Sequence, residues 1–290
     1  MENIKIFSKG WNYSQDGPGN RLIYHFQGCN FFCPWCSNPE GISRVGTLKV
    51  NKDKLLDEVC PFGAIKNRVL NRSFCKTCIE RYCISKNRNE GIVWSCKSYT
   101  ITEIIEEIKK SKFLFYNEGG VTITGGEPTL QFEPLKVLLF EIRNIGVNAA
   151  IETNGSHIKL PELFDSLDLL IMDFKHYDVD FHRHVIGIDN KNTIDNLKKA
   201  SVAGIKLWIR IPLIPGFNDG IDNIKGFIKA IKTFNQDNVF VELLKYHEYG
   251  KIKWAQSGMD YTMKSSFMDT HEYEKYQEMF MKNNIRIINT

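Results

Sequence analysis

Short apolar, β-branched runs recur along the chain at Leu22–Gln27, Val121–Thr124, Val147–Glu152, Leu169–Asp173, Leu207–Pro212 and Val239–Leu244, with a further short one at Ile285–Ile288. Runs of that length and composition read as strands. Between them the apolar positions switch to helical spacing. Ile101, Ile104, Ile105 and Ile108 share one face, and Thr100 with Glu103 supplies a capping box ahead of them. Leu135, Leu138, Leu139 and Ile142 mark a second helix, and Leu197 and Ala200 belong to a third. Strands alternating with helices imply parallel pairing through right-handed crossovers. About six such units are visible, fewer than the eight that close a full barrel. The pattern predicts an α/β fold, a partial (β/α)6 TIM-like barrel, with ligands at the carboxyl ends of its strands.

Residues 51–96 break that rhythm. They are rich in Cys, Arg, Lys and Asn and poor in apolar periodicity. They read as a small inserted subdomain held by metal rather than by a core, between barrel segments 1–50 and 97–290. All eight cysteines of the 290-residue chain lie between Cys29 and Cys96. The N-terminus lacks a signal-peptide core and no apolar run reaches membrane-spanning length, so the chain is expected to be a cytoplasmic monomer with no membrane partner. In a reducing compartment, clustered cysteines bind metal or do redox work more often than they form disulfides. A net charge of +4, with acids and bases interleaved, gives no footprint for nucleic acid.

Directly after the first of the six strands come Gly28-Cys29-Asn30-Phe31-Phe32-Cys33-Pro34-Trp35-Cys36, a C-x3-C-x2-C spacing. Three thiolates on one short loop converge on one metal centre, and a missing fourth leaves an open position for substrate. On spacing alone, a zinc loop or thiols without a role remain alternatives. The trio, with aromatic Trp35 before its last Cys, resembles the signature of the radical S-adenosylmethionine (SAM) superfamily. Asp16-Gly17-Pro18-Gly19-Asn20-Arg21 before the strand and Pro34-Trp35-Cys36-Ser37-Asn38-Pro39-Glu40 after it resemble the glycyl radical enzyme activating enzymes, to which pyruvate formate-lyase activating enzyme belongs. The resemblance covers roughly residues 4–45 and 97–258.

Further segments follow in the family's order. Gly125-Gly126-Glu127-Pro128 closes a strand; alone it is a βα turn, and by resemblance it receives the methionyl amino group of SAM. Glu152-Thr153-Asn154-Gly155 and Asp173-Phe174-Lys175-His176 end the next two strands. An Asp–Lys pair is otherwise a surface ion pair worth under about 1 kcal/mol. By resemblance these segments contact SAM and, in some members, a monovalent cation; Glu152 stands where Asp is usual. The segments around Arg210 and around His247, the latter ahead of Lys253-Trp254, resemble those lining the adenosyl side, with Lys245 in place of the usual Pro. His247 taken by itself reads as a satisfied buried histidine.

In the insert, Cys60-Pro61 resembles the end of a ferredoxin motif, and Cys75, Cys78 and Cys83 follow at C-x2-C-x4-C. Two ferredoxin clusters need eight cysteines and this segment has five. One auxiliary [4Fe–4S] cluster is expected, on Cys60, Cys75, Cys78 and Cys83, with Cys96 as a substitute for Cys60 or Cys83. A four-thiolate zinc is the alternative. The resemblance implies that a flavodoxin or ferredoxin reduces the Cys29/Cys33/Cys36 [4Fe–4S] cluster and that SAM is cleaved to a 5′-deoxyadenosyl radical. The radical then takes hydrogen from a glycine of a partner glycyl radical enzyme, whose loop enters the open side of the barrel. A ribosomal peptide or small metabolite as target, and an electron carrier using only the insert, are the competing readings.

Overall fold

In a computed structural model, which describes residues 3–86, 89–264 and 266–290, eight strands make one sheet. They are β1 (Asn3–Tyr13), β2 (Asn20–Phe26), β3 (Lys97–Thr100), β4 (Gly120–Gly125), β5 (Ala149–Thr153), β6 (Leu169–Asp173), β7 (Lys206–Leu213) and β8 (Val239–Lys245). The sheet order is β8-β7-β6-β5-β4-β2-β1-β3. From β2 to β8 every neighbouring pair is parallel, giving the six expected barrel strands. β1 and β3 add an antiparallel edge that the apolar runs did not reveal. Ile285–Ile288 is not a strand: it contributes one parallel bridge, Val241 to Ile287, on the flank of β8.

Two different faces explain why these strands curve around a cavity. In β4, Val121 and Ile123 point outward into the main apolar cluster, while Thr122 and Thr124 point inward. In β7, Leu207, Ile209 and Ile211 face out and Arg210 faces in; in β8, Val241 and Leu243 face out and Glu242 in. The two-residue side-chain period thus builds an apolar outer wall and a polar lumen. Helices cover the outer wall, α1 (Ile101–Ser111), α2 (Phe132–Asn144), α4 (Lys191–Val202), α5 (Ile221–Ile231) and α7 (Thr270–Met281), while α3 (Val179–Ile186) and α6 (Lys251–Ser257) lie against the loop of Cys29, Cys33 and Cys36. α1 carries the expected capping box, and Ile104 and Ile108 are buried beneath it. Each such side chain taken from water stabilises by about 1.5–3 kcal/mol. The β5–β6 crossover departs from the alternation, being 3-10 turns over Leu160–Ser166 rather than an α-helix.

The β1–β2 hairpin turns through Ser14–Gly19, closed by Ser14 N–H to Gly19 O at 3.0 Å. Gly19 has φ 72°, and a Cβ there would lie 2.1 Å from the Asn117 carbonyl. Only glycine fits. The turn carries Asp16 back into the lumen.

The insert has a small core of its own, contrary to the expectation of metal alone. Leu48, Val50, Leu55, Val59, Ile65, Cys83 and Ile92 are buried together. Its antiparallel ribbon pairs Leu48–Val50 with Ile92–Trp94, so its packing begins ahead of residue 51. Among the described residues, no helix is long and apolar enough to cross a membrane.

Candidate active site

The cysteine loop leaves β2 and returns to it like a noose. Gly28 N–H donates to Gly41 O at 2.8 Å and Cys29 N–H to Ile42 O at 3.0 Å. Gln27 Nε2 reaches Glu40 O at 2.8 Å and Ser43 O at 2.6 Å. Inside this neck, Phe31, Cys33 and Trp35 are buried with Ile186, Ile214, Phe217 and Tyr246. Trp35 packs on Phe217 with ring centres 4.4 Å apart. Backbone N–H groups of Phe31 and Asn38 point at the Cys29 and Cys36 sulfurs, each at 3.4 Å, contacts that favour thiolate. Burial opposes them: it pushes all three thiols up, Cys33 to about 12. A metal cation held by the three sulfurs would reverse that preference.

The trio opens onto a cavity of about 350 Å³. Each of the six parallel strands contributes to it at its carboxyl end: His25 from β2, Thr124 to Gly126 from β4, Glu152 to Asn154 around the end of β5, Asp173 and Lys175 from β6, Pro212 from β7, and Leu244 to His247 from β8. Gly125 (φ 133°) and Gly126 form the closest approach. A Cβ on Gly126 would lie 2.3 Å from Gly28 O, against the root of the cysteine loop.

One ion cluster fills the lumen floor. Arg210 donates from Nη1 to Glu152 at 2.5 Å, from Nε to Glu242 at 2.7 Å and from Nη2 to the Gln15 carbonyl at 2.5 Å, and stands 3.8 Å from Asp16. Burial alone would strip charge from Arg210, but Glu152, Glu242 and Asp16 hold it protonated. Burial likewise works against ionised Glu152; Arg210 and Thr124 outweigh it and hold the carboxyl below its usual range. Asp16 is left over. Its burial and the Glu152 charge lift it from 3.8 to about 6, with Arg210 only partly opposing. Nearer the mouth, Lys175 meets Asp173 at 3.0 Å. Burial opposes the Lys175 charge, but the Asp173 carboxylate and its hydrogen bond keep it protonated. Asp16, Glu152 and Asp173 line the cavity with Lys175, Arg210 and Lys245, so acids and bases alternate around it.

The structure brings Cys29, Cys33, Cys36, Trp35, Gly125, Gly126, Glu152, Asp173, Lys175, Arg210 and His247 to this one cavity. Glu127 is different. Its carboxylate is fully buried and accepts from Thr129 N–H at 3.0 Å, Thr153 Oγ1 at 2.7 Å, Asn154 N–H at 2.7 Å and the Thr129 hydroxyl. It latches the Gly125–Gly126 turn to the next strand instead of facing a ligand. Glu152 has its two oxygens engaged by Arg210 and Thr124. Asp16 and Asn154, quoted from the sequence only within their motifs, line the cavity, as does His25, read there only as part of a strand. Asn154 donates to Asn30 at 2.9 Å, tying the end of β5 to the cysteine loop; only the inward phase of the strands pointed to such partners.

In the insert, Cys60, Cys75, Cys78 and Cys83 line a second cavity of about 330 Å³, with Arg72, Phe62, Phe74 and Trp94 in its wall. Cys96 does not line it; its sulfur faces the Val45 carbonyl at 3.7 Å. Among the described residues, no three His, Cys, Asp or Glu side chains gather as tightly as one metal ion requires. The cysteines stand around cavities instead.

A protein-family model for the radical SAM superfamily matches residues 23–228. The chain is 31% identical over 289 residues to a 4-hydroxyphenylacetate decarboxylase activating enzyme of Clostridioides difficile, covering 93% of this chain and 90% of that one. It is 29% identical over 282 residues to a (2S)-3-sulfopropanediol dehydratase activating enzyme of Klebsiella oxytoca, covering 91% and 88%. The solved structure of Streptococcus suis SuiB bound to precursor peptide SuiA superposes with a TM-score of 0.55 at 15% identity, over 91% of this chain and 47% of that one, a likeness of fold. The chain belongs to the radical SAM superfamily and, within it, to the glycyl radical enzyme activating enzymes.

Proposed function

We propose that this chain is the activase of a glycyl radical enzyme, and that it carries an auxiliary iron–sulfur cluster in its insert. One observation carries the first part: three cysteines on a pinned loop share a single cavity with the carboxyl ends of six parallel strands. The donor set fits a cluster with an open iron, three sulfurs without a fourth nearby. When bound, the cluster and SAM supply the reductive cleavage and the hydrogen-abstracting radical.

The chain's own residues do the rest. Cys29, Cys33 and Cys36 hold the cluster, and Trp35 packs the loop from behind. The Gly125–Gly126 backbone accepts the ammonium of SAM, and Lys175 and Asp173 orient its polar end. Arg210, fixed by Glu152 and Glu242, holds the lumen floor, with His247 on the adenosyl side. With both Glu152 oxygens taken, this reading places no monovalent cation on that carboxylate. The partner's glycine loop enters where the sheet stays open between edge strands β8 and β3, and a flavodoxin or ferredoxin supplies electrons.

For the insert, the cavity among Cys60, Cys75, Cys78 and Cys83 supports a cluster over zinc. Thiolates around one zinc lie about 2.3 Å from a common point, whereas a four-iron cluster needs room between them. That Cys96 lies outside that cavity supports leaving it out of the ligand set.

The test is anaerobic incubation of reconstituted protein with SAM, reductant and a candidate glycyl radical enzyme. A glycyl radical signal on the partner is expected. SAM cleavage that never transfers to any glycyl radical enzyme, but does modify a peptide or metabolite, would overturn the assignment.

A further inference from the structure

Helix α6 touches both cysteine sites. At its leading end, Gly250 abuts the active-site loop so closely that a Cβ would lie 2.6 Å from the Cys36 carbonyl and 2.7 Å from Ser37 Cα. Trp254, buried one turn later, donates its indole N–H to the same Cys36 carbonyl at 2.9 Å. Its ring meets Phe32 edge-on at 5.7 Å. Lys253 donates to Asn38 Oδ1 at 2.8 Å and stands 3.7 Å from Glu40, the carboxylate that Lys49 of the insert reaches at 3.2 Å.

The trailing end belongs to the insert. Arg72 donates from Nη2 to Gln256 O at 2.8 Å and from Nη1 to Leu48 O at 2.9 Å. Gly258 caps α6 in the left-handed conformation, φ 74°, and a Cβ there would run into the Arg72 side chain. Arg72 also lines the four-cysteine cavity, where its charge acts on Cys75.

We propose that α6 is a strut that transmits the loaded state of the insert to the Cys29–Cys36 loop, with Arg72 and Trp254 as positioning residues at its two ends. The inference rests on the reading of the insert as cluster-bearing. Four thiolates are a net negative group that holds the Arg72 guanidinium in its fork between the Gln256 and Leu48 carbonyls. Protonated, empty thiols lose that attraction. α6 then loses its anchor, and Cys36 the fixed N–H that sets its carbonyl. Close packing makes such a short path stiff, and its coupling is measurable as non-additivity.

The test uses full-length, anaerobically reconstituted protein and reads iron content, amide hydrogen exchange over residues 28–40 and the spectrum of the reduced three-cysteine cluster. Cys75→Ser with Cys78→Ser is expected to lose about four irons per chain and to speed exchange over 28–40 about tenfold. Trp254→Phe, which removes only the N–H, is expected to speed it about fivefold, the equivalent of one neutral hydrogen bond, and to alter the reduced-cluster spectrum. Combined with the cysteine pair it should add little further. Arg72→Gln keeps every cysteine and should reproduce the effect at full iron content, which preserves the test if the double cysteine variant does not fold. Lost iron with unchanged exchange over 28–40 would overturn the strut while leaving the auxiliary cluster standing. Unchanged iron in the cysteine variant would overturn the cluster reading and the strut with it.

Discussion

Glu127 and Asp16 are both buried carboxyls, and they do opposite things. Glu127 accepts from two backbone N–H groups and two hydroxyls, so its neighbours are matched to it. Glu127→Ala would strand those donors away from water, at about 1–3 kcal/mol for each unsatisfied group. We expect a loss of about 3 kcal/mol or more in denaturant unfolding of the metal-free chain; under 1 kcal/mol would mean the latch is not structural. Asp16 is under-compensated, and its pKa rises from 3.8 to about 6. With a raised native pKa, the folded chain binds more protons than the unfolded one across that window. The contribution of Asp16 is therefore complete below pH about 4 and lost as pH climbs through about 6. Asp16→Asn, which keeps an acceptor for Asn12 Nδ2, should flatten stability between those values, as a denaturation series would show. An unchanged slope would remove Asp16 as its source.

At the scale of elements, the glycine turn after β4 sets how near the cysteine loop and the SAM-side backbone come. A Cβ on Gly126 would press on Gly28 O and Gly41 O, the neck of that loop. Gly126→Ala is expected to cut SAM affinity tenfold or more while far-ultraviolet dichroism stays native; undiminished affinity would show that the turn has slack. The same scale shows what the sequence could reveal. The six parallel strands were legible to within two residues because each is an apolar run bounded by turns. β1 was not, although Ile4 and Ile6 alternate with polar neighbours, because it lies outside the βα rhythm and pairs antiparallel. β3 has only four residues, too few for periodicity to register. The cysteine loop and strand-end motifs announced the site locally. The inward role of Glu127, the Asp16–Arg210 approach and the Trp254–Cys36 bond did not, since each joins segments that meet only after the sheet has formed.

At the scale of the whole molecule, one cavity at the carboxyl ends of the parallel strands meets the cysteine loop. The insert packs on the strand-end side through α6, beside the cysteine loop rather than beneath the barrel.

The most direct test of the central claim is anaerobic reconstitution with iron and sulfide, followed by measurement of 5′-deoxyadenosine from SAM under strong reductant. The native chain should form it, and Cys33→Ala should not, whereas Cys78→Ala should retain part of the yield. No product from iron-loaded native protein, or undiminished product from Cys33→Ala, would contradict the account.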